Sequence, residues 1–499
     1  MSTISSSLLY QTPSNAALKA QYVGQRLEDI QTPAAIIDLA VVKKNCTLML
    51  EAADALKVQF RAHVKTHKTS ELAQLQVGET GPVRLVVSTI PELEHMIPWL
   101  LEAIKQGRIV DVLYGVPASP SSLPRLAKLA HVLGSSEHIS LMVDNFDILS
   151  FISRSSPLWP GGPIRIFVKI DTGYHRSGIT FDSAQLNKIS TALSKPETKE
   201  QISLIGLYSH LGHSYGFNTP AEAIQGLLTE FSSLAKATTT IRGTHGPLVL
   251  SVGASPTATA AQNLFSPSSL ADPATKEVAD NLQQQVIGLQ KQGLVLELHA
   301  GVYPVLDMQQ LATHSRTTNL SPKDIAFTIL AEVSSLYPDR AKPEALISAG
   351  SLALGREPCK SYPGWGIVTP WPNPIDTPPT NTTTDTTTDT TTDTTTDTTT
   401  DTTTDTTTDT TTDTTSLSNT PTTKSSWIIS RLSQEHGILT WQGPLPLPPS
   451  LDLHIGQKIM LWPNHACIAG NGFGWYFIVD SECGERDVVR DVWVRCRGW

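Results

Sequence analysis

Short β-rich apolar runs alternate with longer stretches of helical periodicity through residues 30–320. The run Ala34-Ala35-Ile36-Ile37-Asp38 opens the series, and a helix-like stretch follows from Val41 to Leu56. Further strands are predicted at Val83–Ser88, Ile109–Tyr114, His138–Val143, Ile164–Ile170, Leu204–Tyr208, Val249–Val252 and Leu294–Leu298. Helices are predicted between them, among others at Ile90–Gln106, Ser122–Leu133 and Ser183–Leu193. Such alternation implies a parallel sheet, and this many units implies an α/β fold with an N-terminal (β/α)8 TIM-like barrel over residues 31–320. Beyond residue 325 the pattern changes to short strands with turns: Ala326–Val333, Trp427–Leu432, Gly437–Trp441, Lys458–Trp462 and Gly474–Val479. That predicts a C-terminal all-β domain over 321–499. Residues 1–30 form an N-terminal segment able to join it.

The β pattern is interrupted. From Thr382 to Thr415 the chain repeats Thr-Thr-Thr-Asp with no large apolar residue, so burial cannot offset the entropy of ordering it. A disordered Thr/Asp insert is expected at 376–424. The tract also explains the formal charge of −9, because eight acidic residues lie within it. The remainder is near neutral and carries no basic stripe, which argues against a nucleic-acid partner. No apolar run reaches a membrane-spanning length and no signal-peptide pattern opens the chain, so no membrane association is expected. Five scattered cysteines suit a reducing, cytoplasmic setting better than a disulfide framework.

Polar motifs stand just after the predicted barrel strands, where such a fold carries its active site. The densest is Arg61-Ala62-His63-Val64-Lys65-Thr66-His67-Lys68. A lysine at a strand end, near histidines and burial, can lose its proton and form a Schiff base with a carbonyl. Asp171-Thr172-Gly173-Tyr174-His175-Arg176 follows another strand and presents Arg176 to an anion. In Tyr208-Ser209-His210-Leu211-Gly212-His213-Ser214-Tyr215, metal ligation and contact with a ring or substrate both stay open. Ser251-Val252-Gly253-Ala254-Ser255-Pro256-Thr257 and Glu297-Leu298-His299-Ala300-Gly301-Val302 are small-residue loops whose amides and hydroxyls suit a phosphate. In the β domain, His465 and Cys467 stand at i, i+2 on an extended segment, a pairing of imidazole and thiolate that favours zinc. Ser433-Gln434-Glu435-His436-Gly437 is a second polar cluster that could help build that site.

Together these motifs resemble the eukaryotic D-serine dehydratase family, related to D-threonine aldolases and more distantly to alanine racemases. The resemblance runs from Thr32 to the end of the chain and implies a fold-type III pyridoxal-phosphate enzyme, a homodimer acting on a small D-amino acid. It implies that Lys65 carries pyridoxal 5'-phosphate as a Schiff base, with His63 beside it. It places the phosphate at Ser255, Thr257, Gly301 and the Val302 backbone, and Tyr174, Arg176, Tyr208, His210 and Tyr215 around ring and substrate. His299 occupies the slot facing the pyridine nitrogen, and His465 and Cys467 match the zinc (Zn2+) ligands of the dehydratases. The aldolases more often show His-x-Asp there. Ala62, Val302 and Gly355-Arg356-Glu357 depart from the family pattern, which has proline, asparagine and a Ser-Lys-Asp-like stretch.

The expected reaction is α,β-elimination of D-serine to pyruvate and ammonia, with Lys65 as the Cα base and zinc easing departure of the β-hydroxyl. Two rivals are a D-threonine or D-3-hydroxyaspartate aldolase-like lyase and a non-catalytic pyridoxal-phosphate-binding protein. A carrier has no need of the His-x-Cys segment or of a second domain.

Overall fold

The computed structural model describes residues 11–243, 246–371, 425–448 and 452–499. The expected Thr/Asp insert at 376–424 lies outside the described residues. Strand β1 (Ala34–Asp38) is followed by eight parallel strands: β2 (Gln59–His63), β3 (Val83–Val87), β4 (Val110–Pro117), β5 (Ile139–Val143), β6 (Ile164–Lys169), β7 (Ile202–Tyr208), β8 (Val249–Val252) and β9 (Val295–Ala300). They close in sequence order, with β9 returning to β2. The expected (β/α)8 barrel is therefore present.

The helices between strands begin where the sequence supplies caps. Thr89 accepts the Glu92 amide, while the Glu92 carboxylate accepts the Ser88 amide at 2.6 Å. Thr219 and Glu222 repeat the device at the helix Pro220–Ala237. Each pair satisfies two donors that a helix start leaves open.

The second unit is a mostly antiparallel sheet: β10 (Phe327–Tyr337), β11 (Glu344–Ile347), β12 (Gly366–Thr369), β13 (Trp427–Leu432), β14 (Gly437–Trp441), β15 (Lys458–Pro463), β16 (Trp475–Val479) and β17 (Asp491–Val494). Its order is β11-β14-β13-β12-β15-β10-β1-β16-β17. β1 thus lies inside the segment expected to be barrel, yet pairs with β10 and β16 of the second sheet. The helix Leu39–Ala55 then carries the chain across to the barrel. Residues 14–30 pack on β16 and β17: Tyr22 meets Phe477 edge-on at 4.9 Å, and Arg26 pairs with Asp487 at 2.9 Å. Among the described residues no helix is long and apolar enough to cross a membrane.

The barrel interior is layered. In a strand, residues two apart share a face. Arg61, Asp111 and Glu297 form a lower layer, with Arg61 1% exposed and bonded at 2.8 Å to Asp111 and 2.7 Å to Glu297. Ser140 and Ser251 donate to the same carboxylates. A buried charge is tolerated only when paired and hydrogen-bonded in this way. Phe167 lies under the Arg61 guanidinium, and Gly206 makes room for it: a Cβ there would sit 2.2 Å from the Phe167 ring. Two residues further along the strands come His63, Lys169, Tyr208 and His299, which form the upper layer beneath the mouth.

Candidate active site

β2 ends at His63, and the chain turns immediately through Lys65-Thr66-His67. Lys65 lines two adjoining cavities above the barrel. The larger, about 520 Å³, is also lined by Tyr174, Tyr215, Glu357, His465 and Cys467. The smaller, about 290 Å³, is also lined by His63, Lys169 and Tyr208. Lys65, Arg176 and His210 belong to both. A larger surface cavity of about 690 Å³, among the helices Leu39–Ala55, Ser70–Val77 and Ile90–Lys105, is lined by none of these candidate residues. The neighbouring lysine of the motif is committed elsewhere: Lys68 pairs with buried Glu92 at 3.0 Å and lines neither cavity. His67 is structural, donating to Gln76 at 2.9 Å and accepting the Thr69 amide at 3.2 Å.

The floor is a set of neutral imidazoles. His299 Nε2 donates to the Ser209 carbonyl at 2.7 Å, so its Nδ1 is an acceptor, 3.1 Å from His63 Nε2 and 3.3 Å from the Tyr208 hydroxyl. Tyr208 stacks on His299 with ring centroids 4.2 Å apart. Burial, with His299 adding to it, drives the His63 pKa well below the usual value, and burial holds His299 at about 3. His210 donates through Nδ1 to the Gly253 carbonyl at 2.9 Å, leaving Nε2 as a lone-pair acceptor. Gly253 adopts φ +140, and a Cβ there would meet the His299 carbonyl at 2.4 Å, so only glycine fits. Burial and Lys65 keep His210 neutral too.

A second lysine shares the smaller cavity. Lys169 is buried at the end of β6, and burial, reinforced by Arg176, lowers it to about 8. Arg176 itself lies 5.2 Å from the Tyr174 ring centroid.

An amide-rich cradle adjoins the larger cavity. Ser255 Oγ accepts from the Val302 amide at 3.1 Å and the Gly301 amide at 3.4 Å, and Tyr215 on the cavity wall is close enough to interact with Ser255. Thr257 points away: its hydroxyl caps Ala254 at 2.9 Å and reaches Glu230 at 3.3 Å. Glu230, raised to about 7 by burial, ties the loops after β7 and β8 together through Ser209 and Gly253.

Across the larger cavity stands the β-domain pair. His465 and Cys467 act on each other as opposite charges, and Cys467 Sγ lies 3.1 Å from Thr66 Oγ1, one residue from Lys65. Burial opposes ionisation of both. The pairing outweighs it, lifting His465 to about 9 and lowering Cys467 below the usual thiol range.

The expected residues Lys65, Tyr174, Arg176, His210, Tyr215, His465 and Cys467 therefore meet in one cavity, with His63 and Tyr208 in the second. Ser255, Gly301 and Val302 converge beside them. His299 and Thr257 line neither cavity: they sit behind the wall. Ser433–Gly437 does not join the site. It forms the turn between β13 and β14 and bonds to the backbone of Ser351 and Leu352. Sequence reasoning missed Lys169 and Glu230 as parts of the site, and reached Glu357 only through the Gly355-Arg356-Glu357 departure from the family pattern. Lys169 was marked only by its period-two relation to Phe167.

Comparison with known proteins agrees with this architecture. Residues 37–269 match the model described as "Alanine racemase, N-terminal domain", and residues 326–479 match "Putative serine dehydratase domain". The D-serine dehydratase of Schizosaccharomyces pombe is 34% identical, over 99% of this chain and 98% of that protein. This chain belongs to the D-serine dehydratase family. The D-serine dehydratase of Saccharomyces cerevisiae is 29% identical over 96% of this chain and 99% of its own. Among solved structures, D-threo-3-hydroxyaspartate dehydratase from Delftia superposes with a TM-score of 0.66 at 23% identity, covering 95% of this chain and 100% of that one, a likeness of fold.

Membership in this dehydratase family implies pyridoxal phosphate. The residues fit it: an amine in the cavity at Lys65, an amide-and-hydroxyl cradle at Ser255, Gly301 and Val302, and neutral polar walls at His63, Tyr208 and His210. For a metal the donors are fewer. Among the described residues no group of three or more His, Cys, Asp or Glu is arranged to hold an ion. The His465–Cys467 pair still fits as a two-donor site. Its thiol is biased toward thiolate, and His465 Nδ1 is buried without a hydrogen-bond partner.

Proposed function

We propose that this protein is a pyridoxal-phosphate- and zinc-dependent D-serine dehydratase, converting D-serine to pyruvate and ammonia by α,β-elimination. One observation carries the reading: Lys65 and the His465–Cys467 pair face the same cavity of about 520 Å³ and are linked through Thr66. The two yeast relatives of that name, matched along nearly their whole length, support it.

Bound between Lys65 and the Ser255 cradle, pyridoxal phosphate supplies the electron sink that makes a Cα proton removable. The Lys65 amine is the base that takes this proton. It is suited to the task because no hydrogen bond or ion pair holds it among the described residues. Arg176, at the junction of the cavities, binds the substrate carboxylate through its guanidinium fork. His210, fixed by Gly253 in one tautomer, presents only an acceptor nitrogen and so orients a donor without adding charge. His465 and Cys467 would hold zinc, which would supply Lewis acidity for departure of the β-hydroxyl, a poor leaving group otherwise. The water lost in elimination is returned on hydrolysis of the product, so D-serine yields pyruvate and ammonia in balance. A homodimer in the cytoplasm belongs to the same reading.

The test is a panel of D- and L-amino acids given to the enzyme with pyridoxal phosphate and zinc. Pyruvate and ammonia from D-serine are expected. Glycine plus an aldehyde from D-threonine as the main products would instead make it an aldolase.

A further inference from the structure

We infer that Glu357 is the positioning residue of the metal site, accepting a hydrogen bond from His465 Nδ1 and thereby aiming Nε2 at the ion. The inference rests on the zinc-dependent reading above. His465 Nδ1 is buried and has no hydrogen-bond partner, and the Glu357 carboxylate lies 4.0 Å from it. An imidazole that ligates through one nitrogen carries its proton on the other, and that N–H is normally donated to a carboxylate or carbonyl.

The candidates for this acceptor are few. Asp307 is the other carboxylate near His465, but it is anchored by the Gln310 amide at 2.9 Å and the Ala466 amide at 2.8 Å, and among the described residues only Glu357 brings a carboxylate within 4.0 Å of the ring nitrogens. The Glu357 carboxylate has no other hydrogen-bond partner among the described residues. Its backbone is clamped to the ligand segment. Asn464, the residue before His465, donates to the Glu357 carbonyl at 2.9 Å and to the Gly364 carbonyl at 2.7 Å. Gln309 donates to the Pro358 carbonyl at 2.8 Å, and Tyr362 donates to the Asn464 side chain. The loop and the ligand thus move together, and a side-chain adjustment of about 1 Å brings Glu357 to hydrogen-bond length. Glu357 is only half-buried, so replacing it leaves no cavity in the core.

The experiment measures zinc affinity by competition with a chromophoric chelator, using metal-stripped wild-type enzyme, Glu357→Ala, Glu357→Gln and His465→Ala. Glu357→Ala should bind zinc about ten- to a hundredfold more weakly, the loss typical of an outer-shell partner. Glu357→Gln, whose amide oxygen can still accept, should fall between it and wild type. His465→Ala should bind weakest. With cobalt in place of zinc, the thiolate charge-transfer band should keep its position in Glu357→Ala, because the ligands themselves are unchanged. Wild-type affinity in Glu357→Ala would overturn the inference while leaving the zinc reading intact. A shifted cobalt spectrum would overturn it in favour of direct ligation by Glu357. Failure of the wild type to bind zinc would overturn the reading on which both depend.

Discussion

Acid should unfold this protein through its buried neutral histidines. His67 and His299 are each locked in one tautomer, with one ring nitrogen donating and the other accepting. A second proton has no acceptor to face, and burial lowers both groups to about 3. The folded pKa is depressed, and the unfolded chain takes up the proton near 6.5. Stability is therefore held above about pH 6.5 and lost as pH falls below it. At about pH 5 each of these two groups costs roughly 2 kcal/mol, so about 4 kcal/mol together. His63 and His210, also driven well below the usual value, add to the loss with the same sign. Glu230 acts oppositely. Raised to about 7, it destabilises the fold at neutral pH and releases roughly 2 kcal/mol on acidification to about pH 5. The histidines win, and the net loss is a large part of the ordinary 5–15 kcal/mol stability of about this size of protein. Urea denaturation followed by circular dichroism at several pH values between about 7.5 and 5 reads it directly. His67→Gln is the diagnostic variant because His67 is outside the cavities. Whatever it does to absolute stability, it should lower the pH slope by about 1.4 kcal/mol per unit, one proton fewer taken up on unfolding. A flat wild-type profile, or an unchanged slope in His67→Gln, would refute the reasoning.

Borohydride reduction of the cofactor-loaded enzyme should abolish its visible band and fix the label on Lys65, as read by peptide mapping; label on Lys68 would show the anchor misassigned. Chelation should remove D-serine dehydration while the visible band persists, and zinc should restore turnover; full dehydration by metal-free enzyme would rule out the leaving-group role. Deleting Thr382–Thr415 should leave thermal stability and turnover nearly unchanged, because β12 and β13 are antiparallel neighbours, with Ile367 opposite Ile428, and a short connection can join them. A large loss of either would make the tract a working part of the fold.

The barrel was legible because its period is written locally: each strand and helix announces itself by the spacing of its own apolar residues. Partner choice is not local. Ala34–Asp38 reads as a buried strand, and it is one, but five apolar residues carry no record of which sheet receives them. The same limit governs the site. Lys65, His465 and Cys467 were singled out by their chemistry together with the family resemblance, and the fold brings them to one cavity. His299 was read by its slot in a family pattern; in the fold it is fully buried and stacked on Tyr208 at 4.2 Å. Lys169 was overlooked, and Glu357 was noted only as part of a departure with no role given, for opposite reasons. Lys169 hides inside a strand, where only the face it shares with Phe167 reveals it. Glu357 sits on a loop whose position is set by Asn464, more than a hundred residues away in sequence. Residues suited to chemistry can thus be singled out by their type and their motif. Those that aim them are set by backbone contacts that many polar side chains satisfy, and only the folded chain reveals them.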